Sequence, residues 1–207
     1  MTFAKDRDLL VLEPALFRDV SWAGQRLVNV NDAQVTGVTL TTNKADFEAL
    51  DVGAGHVVLI GGMSLEVVER VSSSSLTVSL LRTASDGPAL APPAGLAGDA
   101  FISTFLPQIG QAHRQTLHSG GIDAESEAEF VVNTDDLARV EALGALHLIF
   151  AGAAASASPG SLLWEKARMY RDRYIRSRAA TIVVLDDDAD GKADRSVSLG
   201  ALTLGRA

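Results

Sequence analysis

The chain has 207 residues, of which 47% are hydrophobic and 21% charged, enough for one or two compact domains with a real core. It contains no cysteine, which excludes disulfide stapling, thiolate catalysis and cysteine-ligated zinc. No apolar run approaches the roughly 20 residues that span a bilayer, and the N-terminus MTFAKDRD lacks the basic region of a signal peptide. A soluble protein made in the cytoplasm, with no membrane partner, is the expectation.

Residues 1–122 carry strand and turn signals. QVTGVTLTT is a strand, and HVVLI, LEVVERV and LTVSLLR form three more, joined by the turns GGMS and SSSS. AFISTFLPQI adds another after the proline- and alanine-rich loop of residues 86–98. These segments predict a β-rich domain built as a meander or small barrel.

Residues 123–180 turn helical. In NTDDLARVEALGALHLIFAGAAA, Asn133 or Thr134 is placed to cap the helix, Asp135 and Asp136 suit its positive end, and Leu137, Val140, Gly144 and Leu148 recur on one face. SASPG stops that helix and a second starts near Ser161. On the second, Leu163, Ala167, Tyr170 and Tyr174 form an apolar stripe suited to packing within or between subunits. Lys166, Arg173 and Arg176 lie to one side of it, with Arg168, Arg171 and Arg178 to the other.

Charge is uneven along the chain. The net value is −8, but residues 165–178 hold six cations against Glu165 and Asp172, so this helix is locally +4 and the remainder carries −12. Such a helix is either a solvated face whose long side chains cover apolar surface, or a surface meeting phosphates or an acidic partner.

Residues 181–207 read as a C-terminal β hairpin or arm, TIVVL and RSVSLGALTL around the loop DDDADGKAD. Asp186, Asp188, Asp190, Gly191 and Asp194 fall at positions 1, 3, 5, 6 and 9 of a calcium loop, and Lys192 offers a carbonyl at 7, but position 12 is Val197 in place of a bidentate Glu. Asp and Gly are equally what a tight connection between strands prefers, so weak calcium binding stands beside a plain turn, and no other cofactor is indicated.

Catalytic constellations are thin. The sequence holds no GxSxG, HExxH, P-loop or strand-linked GxGxxG, and His56, His113, His118 and His147 have no partner at motif spacing. An enzyme is not expected.

The stretch LWEKARMYRDRYIRSRAATIVVLDDDADGKADRSVSLGALTLGR, following an alanine-rich helix, resembles the C-terminal part of tailed-bacteriophage neck proteins of the head-to-tail connector, or adaptor, type. The resemblance covers residues 123–207. It implies a homo-oligomeric ring, typically of twelve copies, beneath the portal protein, with the helical bundle around the DNA channel and the C-terminal arm engaging the portal. It further implies a tail or tail-terminator partner, non-specific contact with DNA in the channel, and residence in the virion after synthesis in the host cytoplasm. The six cations of the second helix would then face a neighbouring subunit or the channel. The long β-rich domain departs from the family pattern and leaves a tail-completion or terminator protein as the neighbouring reading. A calcium-binding β module for adhesion or surface assembly is the alternative from another class. The expected fold class is α+β.

Overall fold

The computed structural model describes residues 2–158 and 160–200. The fold is α+β, with a closed antiparallel barrel of six strands, five α-helices and a C-terminal two-stranded hairpin among those residues. The chain divides into two compact units, Asp6–Phe105 and a second made of Met1–Lys5 with Leu106–Ala207. The boundary therefore falls well before the expected residue 122. The cause is a helix, Leu106–Ser119, that begins where FLPQI reads as strand.

In the first unit the strands are β1 (Arg26–Thr36), β2 (Thr39–Thr41), β3 (Val57–Ile60), β4 (Met63–Ser72), β5 (Ser75–Ser79) and β6 (Ala97–Ser103). They pair in the order β1-β2-β5-β4-β3-β6, and β6 closes on β1, so no sheet edge is left open. Strand β1 turns Val28 and Val30 inward, then Ala33 and Val35. That change of phase is absorbed by a bulge between Val30 and Ala33, where one extra residue resets the alternation. The β3–β4 turn places Gly61 at φ +56° and Gly62 at φ +78°, a pair of left-handed residues that a two-residue hairpin requires. Two short helices, α1 (Asp6–Leu12) and α2 (Leu16–Asp19), bury Leu9, Leu10, Leu16 and Phe17 and both touch β3.

The second unit packs three helices, α3 (Leu106–Ser119), α4 (Thr134–Ala154) and α5 (Leu162–Ala180), with α3 and α5 both against α4. Helix α4 is long and apolar enough to cross a membrane, with mean hydropathy 1.4 over its best window, yet 67% of that window is buried inside the protein. It is the central helix, which explains why it is apolar on nearly every side. Gly144 lies where α4 meets both neighbours: a Cβ there would stand 3.0 Å from the Ala112 Cβ and 3.1 Å from Tyr174 Cε2. Tyr170 stacks on Phe150 with centroids 5.5 Å apart, and the Tyr174 hydroxyl bonds the Thr116 hydroxyl at 3.2 Å. Ala167, Tyr170 and Tyr174 are thus buried within one chain and Leu163 is partly buried. Of the two uses the stripe suits, within or between subunits, the single chain uses it for the first, packing α5 onto α4 and α3.

Strands β7 (Ile182–Leu185) and β8 (Arg195–Ser198) form the expected hairpin, but it is no free arm over its described length. Val183, Leu185 and Leu199 sit in a second core with Leu117, Ile122, Val131 and Leu137. The outer edge of β7 is occupied as well. Val132 N–H donates to the Val184 carbonyl at 2.9 Å, Val184 N–H donates to Asn133 Oδ1 at 2.9 Å, and Asn133 Nδ2 donates to the Ile182 carbonyl at 2.8 Å. Asn133 stands at the N-cap position but spends its side chain on β7 in place of capping α4. Residues 201–207, the end of the expected arm, lie outside the described residues.

Candidate functional site

Helix α5 has one buried seam and a broad outer face. Three of its six cations lean on aromatic rings of the seam: Lys166 Nζ lies 5.1 Å from the Phe150 centroid, Arg173 Cζ 5.7 Å from that of Tyr170, and Arg178 Cζ 5.5 Å from that of Tyr174. Arg171 pairs with Asp172 at 3.1 Å, and Arg176 Nε donates to the Asp172 carbonyl at 3.2 Å. The Arg168 side chain makes no hydrogen bond or ion pair among the described residues. Between these cations the helix exposes Leu162, Trp164, Met169 and Ile175. At about 100° per residue Trp164, Arg168, Arg171 and Ile175 fall on one flank, opposite to Leu162, Met169 and Arg173. A lone exposed apolar residue carries no information, but Trp, Met and Arg clustered on one helix is the composition of a contact surface.

The loop between β7 and β8 gathers Asp186, Asp188 and Asp194, whose nearest carboxylate oxygens all lie within 4.8 Å of one another. Asp190, expected as a fourth ligand, turns away: its carboxylate accepts the Lys192 N–H at 2.8 Å and pairs with Lys192 Nζ at 3.1 Å. Asp186 accepts the N–H groups of Asp190 and Gly191 at 3.2 and 2.9 Å, and Asp194 accepts that of Asp187 at 2.8 Å. These are the bonds by which Asp residues close tight turns. Ala189 at φ +58° and Gly191 at φ +85° complete the reversal. Arg195 anchors the loop, bridging Asp187 at 2.9 Å and Glu127 at 2.5 Å, and its guanidinium is held further above its ordinary pKa by Asp187 and then Glu127. Val197 at position 12 is packed against the apolar core.

Sequence reasoning missed three buried carboxylates. In the barrel unit Glu66 is fully enclosed, with Arg7 Nε at 2.6 Å and Arg82 Nε at 2.5 Å. Burial pushes its carboxyl up, but the hydrogen bonds from Arg7 and Arg82 outweigh this and hold it below its ordinary value. Asp6 accepts the Phe105 N–H at 2.7 Å; here burial dominates and raises the carboxyl to about 6. In the helical unit Glu141 accepts the N–H groups of Phe3 and Ala4, each at 3.0 Å, and meets His113 Nδ1 at 2.6 Å. The signal for Glu141 was a carboxylate inside the apolar run of α4. His147 ties α4 to α5 through the Ala167 carbonyl at 3.2 Å, and His56 closes its own turn with Gly53.

A shallow groove of about 670 Å³ lies in the helical unit, with Arg114, Gln115 and His118 of α3 on one rim and Ile122, Asp123 and Glu125 on the other. Comparison of the chain with known protein families, with curated proteins and with solved structures found no match.

Proposed function

We propose that this chain is a structural protein of a tailed-phage neck, an adaptor whose copies form a ring between the portal protein and a tail protein. The observation that carries the reading is the outer face of α5, where Trp164, Met169 and Ile175 stand exposed among arginines on a helix whose inner seam is already satisfied within the chain. A surface of that composition is stabilised when another protein covers it. The C-terminal stretch that resembles adaptor proteins includes this face. The closed barrel is then an added module on the ring, and the docked hairpin braces the base of α5. Mass spectrometry of purified tailed particles carrying the gene tests the reading. The chain is expected in fixed ratio to the portal protein, and its absence from the particles overturns the assignment.

The second reading, a calcium-binding β module, is favoured by one observation: the closeness of Asp186, Asp188 and Asp194. With Asp190 committed to Lys192 and an apolar Val197 packed against the core at position 12, the loop is a poor match to a sensor site. Calorimetry with calcium separates the readings, since micromolar binding that Asp186→Ala with Asp188→Ala removes would favour the module.

A further inference from the structure

We infer that the Trp164 flank of α5 docks in the α3 groove of a second copy, with Arg168 meeting Glu125 across the contact; this deepens the neck reading and rests on it as the subunit contact of the proposed ring.

Two surfaces of the helical unit carry the inference. The first is a ridge. Trp164, Arg168, Arg171 and Ile175 recur along one flank of α5 over roughly 16 Å of helix, with Trp164 42% and Ile175 48% exposed. The second is the groove between α3 and the loop that follows it, lined by Arg114, His118, Ile122, Asp123 and Glu125. The side chains of Arg114, Gln115, His118 and Glu125 make no hydrogen bond or ion pair among the described residues. Asp123 is held ionised by the Ser126 hydroxyl, which lowers its pKa.

Charge selects the occupant. The α5 segment is +4 while the rest of the chain carries −12, so the abundant complementary surface for the ridge is another copy of this chain. Within the groove the order of charges also matches. Asp123 and Glu125 form an acidic rim for Arg168, and the α3 rim offers Arg114 and His118 to Glu165, which lies beyond Arg168 around the helix. Gly121 and Ala124 line the groove between the two charged rims and meet Trp164, the aromatic anchor on which such contacts depend. Ridge and groove lie on different elements, α5 on one side of the contact and α3 with its following loop on the other. Each copy therefore uses both, head to tail, and the series closes into a ring when the rotation permits.

The test uses the full chain and reciprocal charge reversal. Sedimentation equilibrium should show concentration-dependent association of the wild type. Arg168→Glu and Glu125→Arg should each weaken it by about tenfold or more, because each sets like charges against each other. An equimolar mixture of the two variants should associate again, since both alternating contacts are then complementary. Trp164→Ala should weaken association without a partner variant that rescues it. Circular dichroism melting of each variant checks that these exposed substitutions leave the fold intact. A wild type that stays monomeric at millimolar concentration, single variants that associate like the wild type, or a mixture that does not recover would each overturn the inference. So would binding of a DNA duplex that Arg168→Glu abolishes while self-association persists. Particles that contain the chain although both variants associate normally would keep the neck reading and remove this contact. A rescued mixture together with particles that lack the chain would do the reverse.

Discussion

The barrel unit and the helical unit solve the same problem in opposite ways. In the barrel, closure of β6 on β1 leaves no open edge, and the one strongly buried carboxylate flanked by cations, Glu66, finds both partners inside the unit. Its exposed apolar side chains, Val11, Leu50, Val71 and Leu90, are scattered over different elements. In the helical unit, four of the seven large exposed apolar side chains among the described residues fall on α5 alone. The barrel is finished as a folding unit, whereas the helical unit is finished on its inner seam and left open on its outer face. That difference is the reason the proposed contact surface is put on α5, away from the residues that hold the fold.

The comparison breaks first at Glu66. Glu66→Ala leaves Arg7 and Arg82 buried without their shared carboxylate, and it should cost the barrel about 3–5 kcal/mol. The urea transition followed by Trp22, which packs against Phe105 in this unit, reads that loss, and a loss near zero would mean the triad is not buried as described.

A smaller effect depends on pH. The folded pKa of Asp6 is raised to about 6 from an ordinary 3.8, so the group's contribution favours the fold below that ordinary value and is lost as pH rises through about 6. The barrel should lose up to about 3 kcal/mol from this group between about pH 4 and about pH 7. In Asp6→Asn that part of the slope disappears, and the variant gains on the wild type as pH rises. A parallel pair of pH profiles would refute the assignment.

The smallest effect sharpens the helical side. Gly144→Ala gains about 1 kcal/mol of helix propensity but forces a methyl against Ala112 and Tyr174, which typically costs about 1–3 kcal/mol. A net destabilisation near 1 kcal/mol is expected by thermal melting of the helical unit, and a stabilised variant would show that α3 and α5 pack more loosely on α4.

Much of this architecture was legible locally. Runs rich in β-branched residues on either side of Gly61 and Gly62 mark the β3–β4 hairpin, and the periodicity from Leu137 to Leu148 marks α4. Strand β1 was recognised only near its end, because the bulge at residues 31–32 breaks the alternation that identifies a strand. Helix α3 read as strand because Phe, Ile and Thr precede it, although Pro107 in its first turn is a helix-start signal. The cations of α5 were found, and their division between ring contacts and an outer flank was not. Which side of a helix stays uncovered depends on α3, more than 40 residues away in sequence. The Asp loop was half legible: spacing gathered Asp186, Asp188 and Asp194, while the pairing of Asp190 with Lys192 is a choice made by the turn itself.

On the proposed reading, the outer face of α5 is covered in the assembled state. Hydroxyl-radical footprinting read by mass spectrometry, on the free chain and on purified particles, addresses it directly through Trp164 and Met169. Both are exposed in the single chain, so the account predicts strong oxidation of both when free and at least severalfold protection of Trp164 in particles. Equal oxidation of Trp164 in the two states would contradict it.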